Sequence, residues 1–169
     1  MKFIIVTCFL YGFFLTGCHS TSTIYIVRHA EKSSEPANDP HLTSEGKQRA
    51  ETLKDLLKDK NIKRIFSTDK NRTIETATPL SRSLNLPIQN YGNDTLPRFL
   101  QGLIRSKKNT LVIGHSNTSI IMINSLHLPQ TITYISEDDY DNLFIIKVKD
   151  GKTIKLTETT YGVISPKVK

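Results

Sequence analysis

The chain has 169 residues, a formal net charge of +7 at pH 7, 37% hydrophobic and 8% aromatic residues, and two cysteines. That length suits a single domain with one hydrophobic core. The basic residues are scattered rather than run together and aromatic residues do not interleave with them, which argues against a nucleic-acid surface and leaves anionic compounds or a membrane surface as partners.

The N-terminus reads as a targeting segment. Met1-Lys2 is a short positive start and the stretch from Phe3 to Leu15 is almost wholly apolar. It falls short of the roughly 20 residues a membrane span needs and suits a signal-peptide core. Leu15-Thr16-Gly17-Cys18 resembles a bacterial lipobox, which implies a signal peptide over 1–17, cleavage before Cys18, and acylation of its thiol and new amino group. Residues 18–23 then form a polar tether and 24–169 the domain proper. No acidic residue directly follows Cys18, so the expected location is the cell envelope, at the outer membrane, facing the periplasm or the exterior. With Cys8 lost and Cys18 lipidated the domain holds no thiol, which excludes disulfides, cysteine nucleophiles and thiolate metal sites.

From there strand and helix patterns alternate. Residues 23–27 read as a buried strand. Residues 43–60 read as a helix capped by Thr43, with Ala50, Leu53 and Leu57 on one face. A short strand over 63–66 and a helix over 69–84 follow, with Pro79 expected to kink or split the helix. An edge strand over 87–89, a helix over 96–105, a buried strand over 110–113 and an apolar helix over 117–126 come next. Strands over 142–149 and 152–159 flank Asp150-Gly151, a hairpin signal. The repeated βα units predict an α/β fold: a three-layer sandwich with a mainly parallel central sheet flanked by helices and extended by the last hairpin.

Arg28-His29 follows the apolar run Ile24-Tyr25-Ile26-Val27, and His115 follows Leu111-Val112-Ile113-Gly114. Both histidines therefore fall at the carboxyl ends of strands, where open α/β sheets bind ligands. Arg28, and Arg72 in the first turn of its helix, can each donate paired hydrogen bonds to phosphoryl oxygens and offset their charge. The two guanidinium groups also disfavour a protonated His29 and so favour a neutral, nucleophilic imidazole, whose second nitrogen is expected to donate to a backbone carbonyl. A metal site of His29, His115 and Glu31 is the competing arrangement, disfavoured because the two arginines would repel a cation; neither metal nor cofactor is expected. His41 and His127 match no motif and read as surface or packing residues.

Four segments stand in order: Arg28-His29-Ala30-Glu31, Leu42-Thr43-Ser44-Glu45-Gly46, Ser67 through Thr76, and Gly114-His115-Ser116-Asn117-Thr118. Together they resemble the histidine phosphatase superfamily, also called phosphoglycerate mutase-like, in a short form. One departure is Ala30, where the family usually has glycine; alanine suffices if the backbone there needs no left-handed conformation. The resemblance implies that His29 attacks phosphorus to form a phosphohistidine that water hydrolyses, and that His115 binds the phosphoryl group. Arg28, Arg72 and His115 would bind substrate, with Glu31 a further contact.

For the acid that protonates the leaving oxygen, the family's place between the second arginine and the second histidine offers Glu75 and Asp94, of which Asp94 ranks first. Glu31, Asp138, Asp139 and Asp141 are rivals. The function implied is a metal-independent phosphatase acting on a phosphorylated small molecule or phosphoprotein. The alternatives are a non-catalytic anion-binding envelope lipoprotein and a mutase; for the latter the chain lacks long insertions to close over substrate.

Overall fold

The computed structural model of the chain describes residues 20–92 and 95–165, so the expected signal peptide, Cys18 and Asp94 lie outside the described residues. Ten elements follow one another: β1 (Thr21–Arg28), α1 (Ser44–Leu57), β2 (Arg64–Ser67), α2 (Asn71–Leu84), β3 (Ile88–Asn90), α3 (Leu96–Ser106), β4 (Thr110–Gly114), α4 (Ser116–Asn124), β5 (Asn142–Lys149) and β6 (Lys152–Thr160). They build one six-stranded sheet in the order β3-β2-β4-β1-β5-β6. The first four strands of that order are parallel, and β5 and β6 add an antiparallel edge beside β1.

Alternation along the strands divides the core. Tyr25 and Val27 of β1, with Leu111 and Ile113 of β4, face Leu53 and Leu57 of α1 and Ala77 and Leu80 of α2. Ile24 and Ile26, with Val112, face Leu100, Leu103 and Ile104 of α3 and Met122 and Ile123 of α4. The sandwich is therefore three-layered, as the βα pattern predicts. Its helices divide between the faces for a chiral reason. The connections from β1 to β2 and from β2 to β3 run in one direction across the sheet, and β3 to β4 runs back. Right-handed crossovers then place α3 on the face opposite α1 and α2.

This winding positions the site. Strands β1 and β4 are neighbours, in register from Ile24 opposite Thr110 to Arg28 opposite Gly114. The chain leaves β1 toward α1 on one face and leaves β4 into α4 on the other. The two exits diverge and open a crevice at the carboxyl ends, the topological switch point of a doubly wound sheet.

Some local features differ from the sequence pattern. The tether expected over 18–23 overlaps β1, because Thr21, Ser22 and Thr23 pair with Lys149, Val148 and Lys147 of β5; threonine suits a strand once a partner strand is present. Pro79 neither splits α2 nor ends it: Ala77 and Leu80 are buried on either side of it, and packing holds the helix until Asn85 turns left-handed at φ 51°. Helix α1 stops at Leu57 rather than running on to residue 60. Other local signals hold. Thr43 caps α1 by accepting from Gly46 N at 3.1 Å. Asp150 and Gly151 take φ 52° and 76°, the pair of positive values a tight hairpin turn requires.

Candidate active site

Arg28 is the last residue of β1, and His29 begins the exit, its N–H donating to Gly114 O at 2.9 Å across to β4. Gly114 must be small, since a Cβ there would strike the hydroxyls of Thr118 and Tyr91. His115 is the N-cap of α4; its N–H donates to Thr118 Oγ1 at 2.7 Å, and the positive end of the helix dipole lies at this point. The two imidazoles stand edge-to-face, ring centroids 5.5 Å apart. Ala30 is fully buried with Leu42 and Ala50 and is not among the described residues with positive φ, so alanine meets the condition set for it.

His29 is 3% exposed, and its Nδ1 lies 2.8 Å from Ala30 O. A carbonyl only accepts, so Nδ1 carries the proton and Nε2 keeps its lone pair. Burial pushes the His29 pKa down to about 3, with Arg28, His115 and Arg72 adding to the effect and the Ala30 bond opposing it. His115 is pushed down to about 4, first by burial and then by Arg72, Arg28 and Lys70, against the opposing charge of Glu137. Both rings are therefore neutral near pH 7. His115 Nε2 lies 3.0 Å from Thr68 Oγ1, which is 3.0 Å from Thr73 Oγ1, whose hydroxyl reaches Lys70 O at 2.8 Å. One proton per hydroxyl is satisfied if Nε2–H donates to Thr68, Thr68 to Thr73, and Thr73 to the carbonyl.

The two arginines differ. Arg72 is the second residue of α2; its Nη1 stands 3.8 Å from Asp39 Oδ1 and its Nε is buried without a partner. Asp39, from the loop read as a pocket wall, also accepts from Asn71 N at 2.9 Å and so fastens that loop to the start of α2. Arg28 is 2% exposed. Its Nη1 donates to Ser136 O at 2.5 Å and Asp139 O at 3.1 Å, and its Nη2 to Glu137 Oε2 at 3.2 Å, while Nε has no partner. Tyr140 lies over the guanidinium at 4.5 Å and 5.9 Å from the His29 ring.

The structure thus brings Arg28, His29, Arg72 and His115 together and moves several acids away. The Glu31 carboxylate, expected to contact substrate, is taken instead by Arg49: Nε lies 2.9 and 3.0 Å from its two oxygens, and Nη2 lies 2.7 Å from one of them. Close packing brings α1 to the acid: Gly46 leaves no room for a Cβ against the Glu31 backbone, and Arg49 lies on the same helix. Glu75 turns from the crevice to bind His41 Nδ1 at 2.5 Å and Leu42 N at 2.8 Å. Asp141 is buried and accepts from Ser165 N at 2.8 Å. Asp139 contributes its backbone carbonyl to Arg28. Sequence reasoning missed Thr68, Glu137 and Tyr140. Thr68 lies within the quoted Ser67–Thr76 segment, and the other two in the acidic stretch whose aspartates alone were singled out.

The described arrangement is a buried neutral imidazole with one free nitrogen, a second neutral imidazole beside it, and two guanidinium groups at a sheet's switch point. The family model of the histidine phosphatase superfamily, branch 1, matches residues 24–92, a span that holds Arg28, His29 and Arg72. Over that span the chain is similar to that superfamily. Among solved structures, the protein histidine phosphatase SixA complexed with tungstate superposes with a TM-score of 0.64 at 18% identity, covering 82% of this chain and 96% of that one. A mycobacterial glucosyl-3-phosphoglycerate phosphatase gives 0.64 at 11% identity over 83% and 98%. A mycobacterial hydrolase gives 0.65 at 11% over 88% and 94%. At these identities the likeness is one of fold. No curated protein matches the chain.

Proposed function

We propose that the protein is a metal-independent phosphatase working through a phosphohistidine on His29, held at the bacterial cell envelope by lipid on Cys18. The observation that carries the catalytic part is the His29 ring itself, neutral and with Nδ1 tied to Ala30 O at 2.8 Å. Its Nε2 lone pair is left to attack phosphorus, and the Ala30 carbonyl then supports the positive ring that phosphorylation creates. Arg28 and Arg72 supply the charge that a metal would otherwise provide. The Nε2–H of His115, resting on Thr68, is the donor a phosphoryl oxygen would take over. Water then cleaves the nitrogen–phosphorus bond and releases phosphate.

The substrate class is a phosphate monoester or related phosphoryl compound, on a small molecule or a protein. The similar folds include a protein histidine phosphatase and a phosphatase of a glycosylated phosphoglycerate, so this scaffold accommodates both kinds. The anchor narrows the choice. Strand β1 begins at Thr21, three residues after Cys18, and the crevice opens at its far end. At about 3.3 Å per residue that end is roughly 25 Å along the strand, directed away from an anchoring bilayer. A water-borne substrate fits this placement better than a headgroup of the same leaflet.

The test is hydrolysis of p-nitrophenyl phosphate in EDTA by the detergent-solubilised full chain. Turnover is expected, with an acid-labile phosphoenzyme after rapid quench, and His29→Ala is expected to abolish both. Release of Cys18→Ser from membranes tests the anchor. A folded parent that binds vanadate without turnover would favour the non-catalytic anion-binding lipoprotein.

A further inference from the structure

The phosphatase chemistry needs a proton for the leaving oxygen, and the carboxylates of Glu31, Glu75 and Asp141 are turned to other partners, while Asp39 is held by the start of α2. Another carboxylate stands on the first site arginine. Glu137 meets Arg28 Nη2 at 3.2 Å, and its charge is felt at His115 and at Tyr140. The pair is asymmetric: the arginine side chain is 2% exposed and the glutamate 74%. Glu137 therefore sits on the solvent side of Arg28, while His29, 3% exposed, lies at the floor of the same crevice. In-line displacement by a nucleophile on the floor sends the leaving oxygen outward, toward the mouth where Glu137 stands.

The hydrogen bonds of Arg28 add a second observation. Its Nη1 is committed to the carbonyls of Ser136 and Asp139, which fix the segment carrying Glu137. Its Nη2 bears only the exposed carboxylate, and its Nε bears nothing. An incoming phosphoryl group competes for this edge of the guanidinium, and the anion it displaces is the Glu137 carboxylate, which then lies beside the substrate with no charge partner of its own.

We propose that Glu137 is the proton donor to the leaving oxygen, released for that role when the phosphoryl group takes its place on Arg28. This rests on the phosphatase reading above. In the first half-reaction the His29 Nε2–P bond forms and the P–O bond breaks. The bonding pair goes to the leaving oxygen, which takes the carboxyl proton of Glu137. In the second, water attacks phosphorus and gives its proton to the Glu137 carboxylate while the N–P pair returns to Nε2. The groups facing Glu137 are Arg28, His115 and Tyr140, with Asp138 and Asp139 on its own segment.

The test compares parent and Glu137→Gln on p-nitrophenyl, phenyl and glycerol phosphates, with Asp94→Asn alongside. A proton donor matters in proportion to the basicity of the leaving group. Glu137→Gln is expected to lower kcat/KM less than about tenfold on p-nitrophenyl phosphate and by about 10²–10³-fold on phenyl and glycerol phosphates. A uniform fall in KM with kcat unchanged would make Glu137 a displaceable plug and overturn the proposal. So would a leaving-group-dependent loss in Asp94→Asn with none in Glu137→Gln. A parent inactive even on p-nitrophenyl phosphate brings down the phosphatase reading and this inference with it, a result separate from either of those.

Discussion

Arg28 and Arg49 are both buried arginines, 2% and 5% exposed, and they settle their donors in opposite ways. Arg49 finishes its bonding inside the protein. It forks onto Glu31, and its Nη1 and Nη2 reach the carbonyls of Tyr161 and Val163 at 2.8 Å each. It ties β1's exit to α1 and to the segment after β6. Arg28 stops short: one nitrogen has no partner and another holds a carboxylate that is mostly in water. Equal burial with unequal satisfaction separates a fastening residue from one that, on the proposed reading, binds an anion.

The comparison breaks most sharply by truncating each arginine. Arg28→Ala should lower kcat/KM on p-nitrophenyl phosphate by about 10²–10³-fold, the cost of losing a preorganised charge donor. Its melting temperature should fall less than that of Arg49→Ala. Arg49→Ala should cost about 3 kcal/mol of stability by stranding Glu31, while the molecules that remain folded keep activity near the parent's. Denaturant melts and kinetics on both variants check this; the reverse assignment would show that bonding saturation does not separate the two roles.

A smaller effect sharpens the cost of readiness. His29 and His115 are held neutral, with pKa values pushed from 6.5 to about 3 and about 4. The unfolded chain takes up protons at these rings near 6.5 and the folded chain does not. Their lowered values therefore penalise the folded state progressively as pH falls from 6.5 toward 4, and above 6.5 the penalty vanishes. Thermal melts of the unliganded protein should drop by at least about 5 °C between pH 7 and pH 4.5. His29→Asn should flatten the slope. A flat profile in the parent would mean that the crevice does not suppress protonation.

What could be read in the sequence follows the range of the interaction. His29 and His115 were legible because each directly follows an apolar run, and the strand end fixes where it lies. Thr43 and Asp150-Gly151 were legible because a cap and a tight turn are made within four residues. The partners of Arg28 were not. Ser136, Glu137 and Asp139 lie more than a hundred positions away, in a segment with no helical or strand period, and only the fold brings them to β1. Glu31 misled for the same reason. Its neighbour His29 is catalytic in type, but its partner Arg49 sits one place off the apolar stripe of α1 and looks like any helix arginine. Pro79 misled because local rules weigh a lost hydrogen bond and not the packing on either side.

The smallest expected effect concerns Thr68, which touches a reacting residue rather than the reaction. Its Oγ1 stands 3.0 Å from His115 Nε2 and passes the contact on to Thr73. In the resting site it satisfies the imidazole N–H and holds the ring in the orientation from which, on the proposed mechanism, His115 reaches the phosphoryl group. Thr68→Val keeps the shape and deletes the acceptor. The loss is one neutral hydrogen bond, about 1 kcal/mol, so kcat/KM should fall by roughly fivefold. That is far less than truncation of His115 itself. Because the bond orients His115 and does not bind substrate directly, the fall should appear in kcat rather than KM, and the His115 Nε2 resonance should shift in nitrogen NMR. A loss confined to KM would instead place the Thr68 hydroxyl on the substrate, as a fifth ligand of the phosphoryl group beside Arg28, His29, Arg72 and His115.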